Sequence, residues 1–306
     1  MEVFYDDRYN IDLGLLNYLH PFDGRKFRRV REALTGEPGL EFVDVPGPVS
    51  GQRLDAFAGE ILRHLYRSKR YVLRALEVPY IPLLPFGVID ERLLAPMRWA
   101  VQGTLAAAEA ALAGSDCWNL SGGYHHASRN VAEGFCIYND VGIAVHDLRA
   151  RGLLGSGERI LVIDVDAHHG NGNAGVFLRD RSVEILDIYN GDVYPKSPTT
   201  RARVDIGLPL PTGTRGTDYL ASLRTGLARL SGGARVAFVI AGTDVLASDP
   251  LGGLNLSVEE CAQRDQLVLE RLKQLGVPAV FLGGGGYGKQ SADAMVAGLR
   301  ACRGVA

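Results

Sequence analysis

Two adjacent histidine pairs are the residues of this sequence best suited to chemistry. The chain holds only seven histidines, yet four of them form the pairs His125-His126 and His168-His169. Composition alone predicts about 0.2 such pairs in a chain of this length. Imidazoles titrate near neutral pH and also ligate metals, so both pairs are candidates for a catalytic site.

An acidic segment leads into the second pair, where Asp164, Asp166 and His168 alternate with apolar residues. A strand continuing through them would place all three side chains on one face. Carboxylate oxygen and imidazole nitrogen together favour Zn²⁺ or another divalent transition metal. A lone pair of aspartates at a strand end could instead cap a helix or hold Mg²⁺.

Asp244 follows another apolar run and is the third candidate ligand. Taken alone it would be a helix cap or a loop brace, and Asp249 in the same loop is interpreted as a brace. The set Asp166, His168 and Asp244 would leave one coordination position open, which is typical of catalytic zinc sites.

His125 and His126 have the wrong spacing to share one metal from a helix, which uses positions i and i+4. They follow Gly122-Gly123 and suit proton transfer beside a metal, each imidazole being oriented by a neighbouring acceptor. Asp164 and Asn171 are the available acceptors. Two partly exposed loop histidines are the alternative.

Tyr287 follows four consecutive glycines, Gly283 to Gly286. Such a run carries a large entropy cost, which close approach of a substrate would explain. The phenol could then stabilise a developing oxyanion. A phosphate-binding loop is the weaker alternative, because no Lys-Ser/Thr follows the glycines.

Apolar segments alternate with helical segments along the chain, which predicts one doubly wound α/β domain over residues 1–306. The predicted strands are Glu2–Tyr5, Glu41–Val45, Cys117–Leu120, Arg159–Val165, Val183–Ile188, Arg235–Ala241 and Pro278–Leu282. The predicted helices are Gly24–Leu34, Leu54–Leu76, Glu91–Ala113, Asp140–Arg151, Thr217–Leu230, Ser257–Leu275 and Ser291–Cys302. Pro195–Pro211 is predicted to be a loop. Because the later strands are apolar on both faces, we expect a parallel sheet whose carboxyl ends bring the polar motifs together.

Composition excludes several classes of protein. The 306 residues are 46% hydrophobic and 22% charged, which is ordinary for a globular protein. A formal charge of -2 predicts no nucleic-acid partner. No apolar run reaches the roughly 20 residues of a membrane span. With four scattered cysteines and no secretory leader, we expect a cytoplasmic protein with free thiols.

The motifs SGGYHHA, DVDAHHGNG, AGTDVLASDPLGGLN and GGGGYG, in this order, resemble the histone deacetylase family of zinc amidohydrolases. The segment Leu19–Asp23 and the Gly-Gly-Tyr-His-His variant are similar to its class IV branch and bacterial relatives. The resemblance implies the arginase/deacetylase fold, a single α/β domain around a mainly parallel sheet of about eight strands with helices on both faces.

The resemblance also implies a role for each matching residue. Asp166, His168 and Asp244 match the zinc ligands, His125 and His126 the histidine dyad, and Tyr287 the tyrosine that binds the substrate carbonyl. Asp164 and Asn171 match the partners of the dyad. The residues matching the acyl-lysine tunnel are Gly134, Phe135 and Tyr194, although Tyr194 could equally be a core residue. A possible K⁺ site comprises Asp164, Asp166, His168, Asp187 and Ile188.

Two positions depart from class I members of that family: Asn171 replaces an Asp, and Tyr124 replaces a Gly and is expected to reshape the tunnel mouth.

The implied activity is removal of acetyl or longer acyl groups from lysine. Alternatives are an acylated small amine such as an acetylpolyamine as the substrate, a binuclear manganese enzyme, and a non-catalytic acyl-lysine reader. The binuclear site lacks support because Gly170 stands where a bridging Asp is expected. The sequence does not determine the oligomeric state.

Overall fold

In the computed structural model, which describes residues 1–11 and 23–305, eight strands form one parallel sheet. The strand order is β2-β1-β3-β8-β7-β4-β5-β6. The strands are β1 Glu2–Tyr5, β2 Glu41–Asp44, β3 Cys117–Asn119, β4 Arg159–Asp164, β5 Val183–Asn190, β6 Ile206–Leu210, β7 Ala234–Ile240 and β8 Ala279–Leu282. The predicted fold class is therefore confirmed. The segment Leu19–Phe22, which carries part of the class IV resemblance, lies outside the described residues.

Helices cover both faces of the sheet. As a result, the central strands β3 and β8 are buried at every position. The described α-helices are α1 Lys26–Ala33, α2 Gly51–Phe57, α3 Glu60–Leu65, α4 Lys69–Ala75, α5 Phe86–Ile89, α6 Ala95–Leu112, α7 Asp140–Ala150, α8 Asn171–Val176, α9 Pro198–Arg201, α10 Gly216–Ala228, α11 Val258–Leu275 and α12 Ser291–Cys302. The described residues also include a short 3₁₀ turn at Asp7–Tyr9 and a π turn at Asp90–Leu94. Among the described helices, none combines the length and apolar character needed to cross a membrane.

The predicted single helix over Leu54–Leu76 is wrong, since α2, α3 and α4 occupy that region. Gly59 separates the first two, and its N–H donates to the carbonyl of Arg129 at 2.7 Å instead of to a preceding turn. The hydroxyl of Ser68 accepts the N–H of Tyr71 and begins α4. These caps outweigh the continuous apolar periodicity.

Strand β6 lies inside the segment Pro195–Pro211, which was expected to be a loop. It is the edge strand beside β5 and includes Gly207 and Pro209. Proline has no N–H to donate and is tolerated in a sheet chiefly at an edge. The turn-forming residues therefore concealed a strand that pairs with β5 and packs against α10.

Candidate active site

Loops at the carboxyl ends of β4 and β7 bring the three candidate metal ligands together. One ligand atom from each of Asp166, His168 and Asp244 lies within 4.8 Å of the others. Asp166 and Asp244 are fully buried, whereas 12% of the His168 side chain is exposed toward a cavity. Nδ1 of His168 lies 2.8 Å from Oδ2 of Asp244 and 3.3 Å from Oδ1 of Asp166.

The same carboxylates are held in place by backbone N–H groups. Ala167 N–H donates to Asp244 Oδ1 at 2.9 Å, and Gly285 N–H donates to Asp166 Oδ2 at 2.7 Å. Burial, together with the charge of Asp166, raises the pKa of Asp244 to about 6. Two buried carboxylates with an imidazole between them form a donor set that fits a divalent cation such as Zn²⁺, whose charge would offset their mutual repulsion.

The histidine dyad lies beside this cluster on the loop that follows β3. Nδ1 of His125 donates to Asp164 Oδ2 at 2.9 Å, and Nδ1 of His126 donates to Asn171 Oδ1 at 2.7 Å. The ring centroids of His125 and His126 are 4.1 Å apart, and those of His126 and His168 are 5.9 Å apart.

The two histidines differ in charge state. Burial opposes protonation of His125, but Asp164 and Asp166 prevail and raise its pKa to about 9. Burial and the neighbours His125 and His168 lower the pKa of His126 well below its usual value. His126 is therefore the neutral member, able to accept a proton.

Glu133 and Asp140 support the dyad, and the sequence pattern did not single them out. Nδ2 of Asn171 donates to Glu133 Oε1 at 2.7 Å, which turns the amide oxygen toward His126. The buried carboxylate of Asp140 accepts the N–H groups of Gly123 and Tyr124 at 2.9 and 2.8 Å. Isolated acidic residues carry no local signal of such a role, because their partners are distant along the chain.

Asp187 lies next to Asp164, since these two residues pair in register between β5 and β4. Oδ2 of Asp187 accepts Nδ1–H of His169 at 2.6 Å, while its Oδ1 is buried and has no hydrogen-bond partner among the described residues. An orphaned buried carboxylate oxygen fits the predicted monovalent-cation site, which also includes Ile188. His169 is buried, and its other ring nitrogen lies 2.9 Å from Thr200 Oγ1, so this histidine is held by hydrogen bonds at both nitrogens.

An outer cavity of about 310 Å³ leads from the surface to the cluster. Its lining residues include the three candidate tunnel residues, and they are Glu77, His126, Gly134, Phe135, His168, Val193, Tyr194, Leu251 and Tyr287. Tyr194 is 46% exposed, so it is not a core residue. Gly134 has a φ of 55°, and a Cβ there would lie 2.6 Å from the His126 ring, so only glycine fits.

A second cavity, of about 80 Å³ and called the inner cavity below, shares the lining residues His126, Gly134, Phe135 and Tyr287 with the outer cavity. Its lining is mostly apolar and includes Tyr9, Ile11, Phe27, Leu76, Val78, Leu93, Met97, Tyr124 and Phe135. Tyr124, which was expected to reshape the tunnel mouth, contributes to this inner cavity instead. Sequence patterns did not reveal the inner cavity, because its lining comes from distant elements.

The fold and this site define an α/β protein with a candidate metal-ligand cluster beside a histidine pair. Known proteins are similar to this chain in sequence and in fold. Residues 84–301 match the histone deacetylase domain family. The chain is 32% identical over 296 residues to histone deacetylase 2 of Arabidopsis thaliana, covering 95% of this chain and 76% of the relative. Identity to histone deacetylase clr6 of Schizosaccharomyces pombe is 28% over 309 residues, covering 94% and 72%.

Solved structures agree in fold. A histone deacetylase homolog complexed with SAHA superposes with a TM-score of 0.74 at 23% identity, covering 100% of this chain and 84% of that one. A homolog from Aquifex aeolicus has a TM-score of 0.72 at 23% identity, covering 98% and 83%. The chain belongs to the histone deacetylase family and is a hydrolase that acts on amides.

Proposed function

We propose that this protein is a zinc-dependent amidohydrolase that removes acetyl or longer acyl groups from the ε-amine of lysine in proteins or peptides. The observation that carries this proposal is the meeting of Asp166, His168 and Asp244 within 4.8 Å at the end of a cavity. The neutral His126 and the phenol of Tyr287 line the same cavity. Together they supply a metal site, a base and an oxyanion donor.

A zinc ion held by the three ligands would supply Lewis-acid polarisation of the acyl carbonyl and would acidify water. His126 accepts a proton from the attacking water, because Asn171 holds its Nδ1–H and leaves Nε2 for the transfer. The same imidazole then gives this proton to the amine as the amide C–N bond breaks. Water and amide thus yield a carboxylate and a free amine.

Tyr287 acts as a hydrogen-bond donor to the carbonyl oxygen as negative charge develops there. Burial, together with the charges of Asp244 and Asp166, raises the pKa of its phenol well above the usual value. This shift favours the protonated phenol, which is the form that can donate a hydrogen bond to the carbonyl oxygen.

The inner cavity supports acyl groups longer than acetyl. It is lined by His126 and Tyr287, where the carbonyl would lie, and the rest of its lining is mostly apolar. Burying each additional methylene contributes about 0.8 kcal/mol. Long-chain acyl-lysine, which the class IV resemblance of the sequence suggests, is a hypothesis to test.

A panel of lysine peptides with acyl chains from acetyl to myristoyl, assayed beside acetylpolyamines, tests the proposal. We expect turnover of acyl-lysine peptides, its loss on zinc chelation and its return when zinc is added. Preference for acetylpolyamines would favour the small-amine alternative, for which Glu77 at the outer cavity is the supporting observation. Binding of acyl-lysine without turnover would indicate a non-catalytic reader, and a steady fall in rate from acetyl to myristoyl would contradict the long-chain hypothesis.

A further inference from the structure

We infer that Asp249 is a positioning residue for Tyr287, an inference that rests on the proposed function. Its buried carboxylate accepts four backbone N–H groups from two loops. Oδ2 accepts those of Tyr287 at 2.7 Å and Gly288 at 3.0 Å. Oδ1 accepts those of Leu251 at 2.9 Å and Gly252 at 3.3 Å.

The loop that carries Tyr287 needs such an external restraint. Five of the six residues from Gly283 to Gly288 are glycines, and glycine restricts the backbone least of all residues. Gly284 and Gly286 have φ values of 59° and 142°. Local conformational preference therefore cannot hold the tyrosine backbone in one place.

Backbone contacts made by the glycines before Tyr287 hold the start of the loop. Thr243 N–H donates to the carbonyl of Gly285 at 2.8 Å, and Lys26 Nζ donates to that of Gly286 at 3.2 Å. The N–H groups of Tyr287 and Gly288 both donate to the carboxylate of Asp249. This carboxylate therefore sets the direction of the Cα–Cβ bond of Tyr287. A displacement of about 1 Å at a reacting group can cost 100-fold in rate.

Asp249 also joins the tyrosine loop to the wall of the outer cavity. Leu251, whose N–H it accepts, lines that cavity together with Tyr287. An asparagine at position 249 would offer one acceptor oxygen and turn an NH₂ donor against N–H donors. The geometry therefore requires a carboxylate at this position.

A double-mutant cycle tests the inference. We expect Asp249→Asn to lower kcat about 30-fold and to change KM less than about 3-fold. The loss in kcat should be smaller than the roughly 100- to 1000-fold caused by removing an oxyanion donor, because the hydroxyl of Tyr287 is displaced rather than absent. In a Tyr287→Phe background the same substitution should lower kcat less than about 3-fold, because the hydroxyl that Asp249 positions is already absent. Equal losses in both backgrounds would overturn the inference.

Asp116→Asn is the matched control, because Asp116 Oδ1 accepts the N–H of Ala279 at the opposite end of β8. It should leave kcat unchanged. Amide hydrogen exchange in the peptide covering residues 284–290 should be at least 10-fold faster in Asp249→Asn than in the control. If Asp249→Asn does not fold, Asp249→Ser replaces it, since serine keeps one acceptor oxygen.

The exchange measurement separates the two proposals. If the unsubstituted chain turns over no acyl-lysine substrate, the proposed function fails, while faster exchange still supports positioning by Asp249. Unchanged exchange in the tyrosine loop overturns the positioning role whatever the activity.

Discussion

At the scale of single residues, the site depends on groups whose charge state is set by burial and neighbours. Burial and two nearby carboxylates raise the pKa of the Tyr287 phenol and so favour its protonated form. We expect Tyr287→Phe to lower kcat roughly 100- to 1000-fold without changing KM strongly, as for loss of one oxyanion donor. Steady-state kinetics with metal content measured in parallel checks this, and near-normal turnover would contradict the assigned role.

A second prediction concerns Asn171, the neutral hydrogen-bond partner of His126. Replacing Asn171 by Asp in a Glu133→Gln background keeps a donor for the new carboxylate while placing a negative charge beside the imidazole. A carboxylate favours the protonated form, so the pKa of His126 rises and its basic form is lost at a higher pH. The acidic limb of the kcat/KM profile should therefore move up by roughly 1 to 2 pH units. Glu133→Gln alone is the control, and an unmoved limb would argue against His126 as the base.

At the scale of elements, the π turn that leads into α6 supplies one wall of the inner cavity. Leu93 lines this cavity, whereas its neighbour Leu94 is buried in the core and is absent from the lining. We expect Leu93→Phe to reduce kcat/KM for long-chain acyl-lysine at least 10-fold while changing acetyl-lysine less than about 3-fold. Leu94→Phe controls for overpacking, which costs about 1 to 3 kcal/mol in either variant. Equal losses for all chain lengths would show that the cavity does not hold the acyl chain.

At the scale of the whole molecule, a bound metal joins loops that follow β4 and β7, so its removal should destabilise the fold. A metal at 100 times its Kd adds about 2.7 kcal/mol to the free energy of unfolding. Because 1 kcal/mol shifts the Tm of a large domain by about 2 to 4 °C, chelation should lower the Tm by at least 5 °C. Asp244→Asn should remove most of this chelator sensitivity. An identical Tm with and without chelator in the unsubstituted chain would argue against a metal in this site.

Much of the fold and of the candidate site could be predicted from local spacing in the sequence. Asp166 and His168 could be recognised as neighbours without knowing any distant contact, because side chains two residues apart share a face of an extended chain. The same is true of the apolar strands. The capping box that Ser257 and Glu260 form at the start of α11 was equally local. Seven of the eight described strands followed from such patterns, and β6 was missed because its edge pairing tolerates proline.

Only the tertiary structure decided how distant residues meet. Gly59 ends α2 because its N–H reaches Arg129, more than 60 residues away in the sequence. Glu133 orients Asn171 and Asp140 holds the dyad loop, yet neither carries a local pattern. Asp249 could be interpreted as a brace of its own loop, but its contact with the tyrosine loop is long-range. The sequence by itself determined the residue types, their phase and the parallel sheet. Their meeting, the inner cavity and the charge of each histidine depend on burial and long-range contacts, which exist only once the chain has folded.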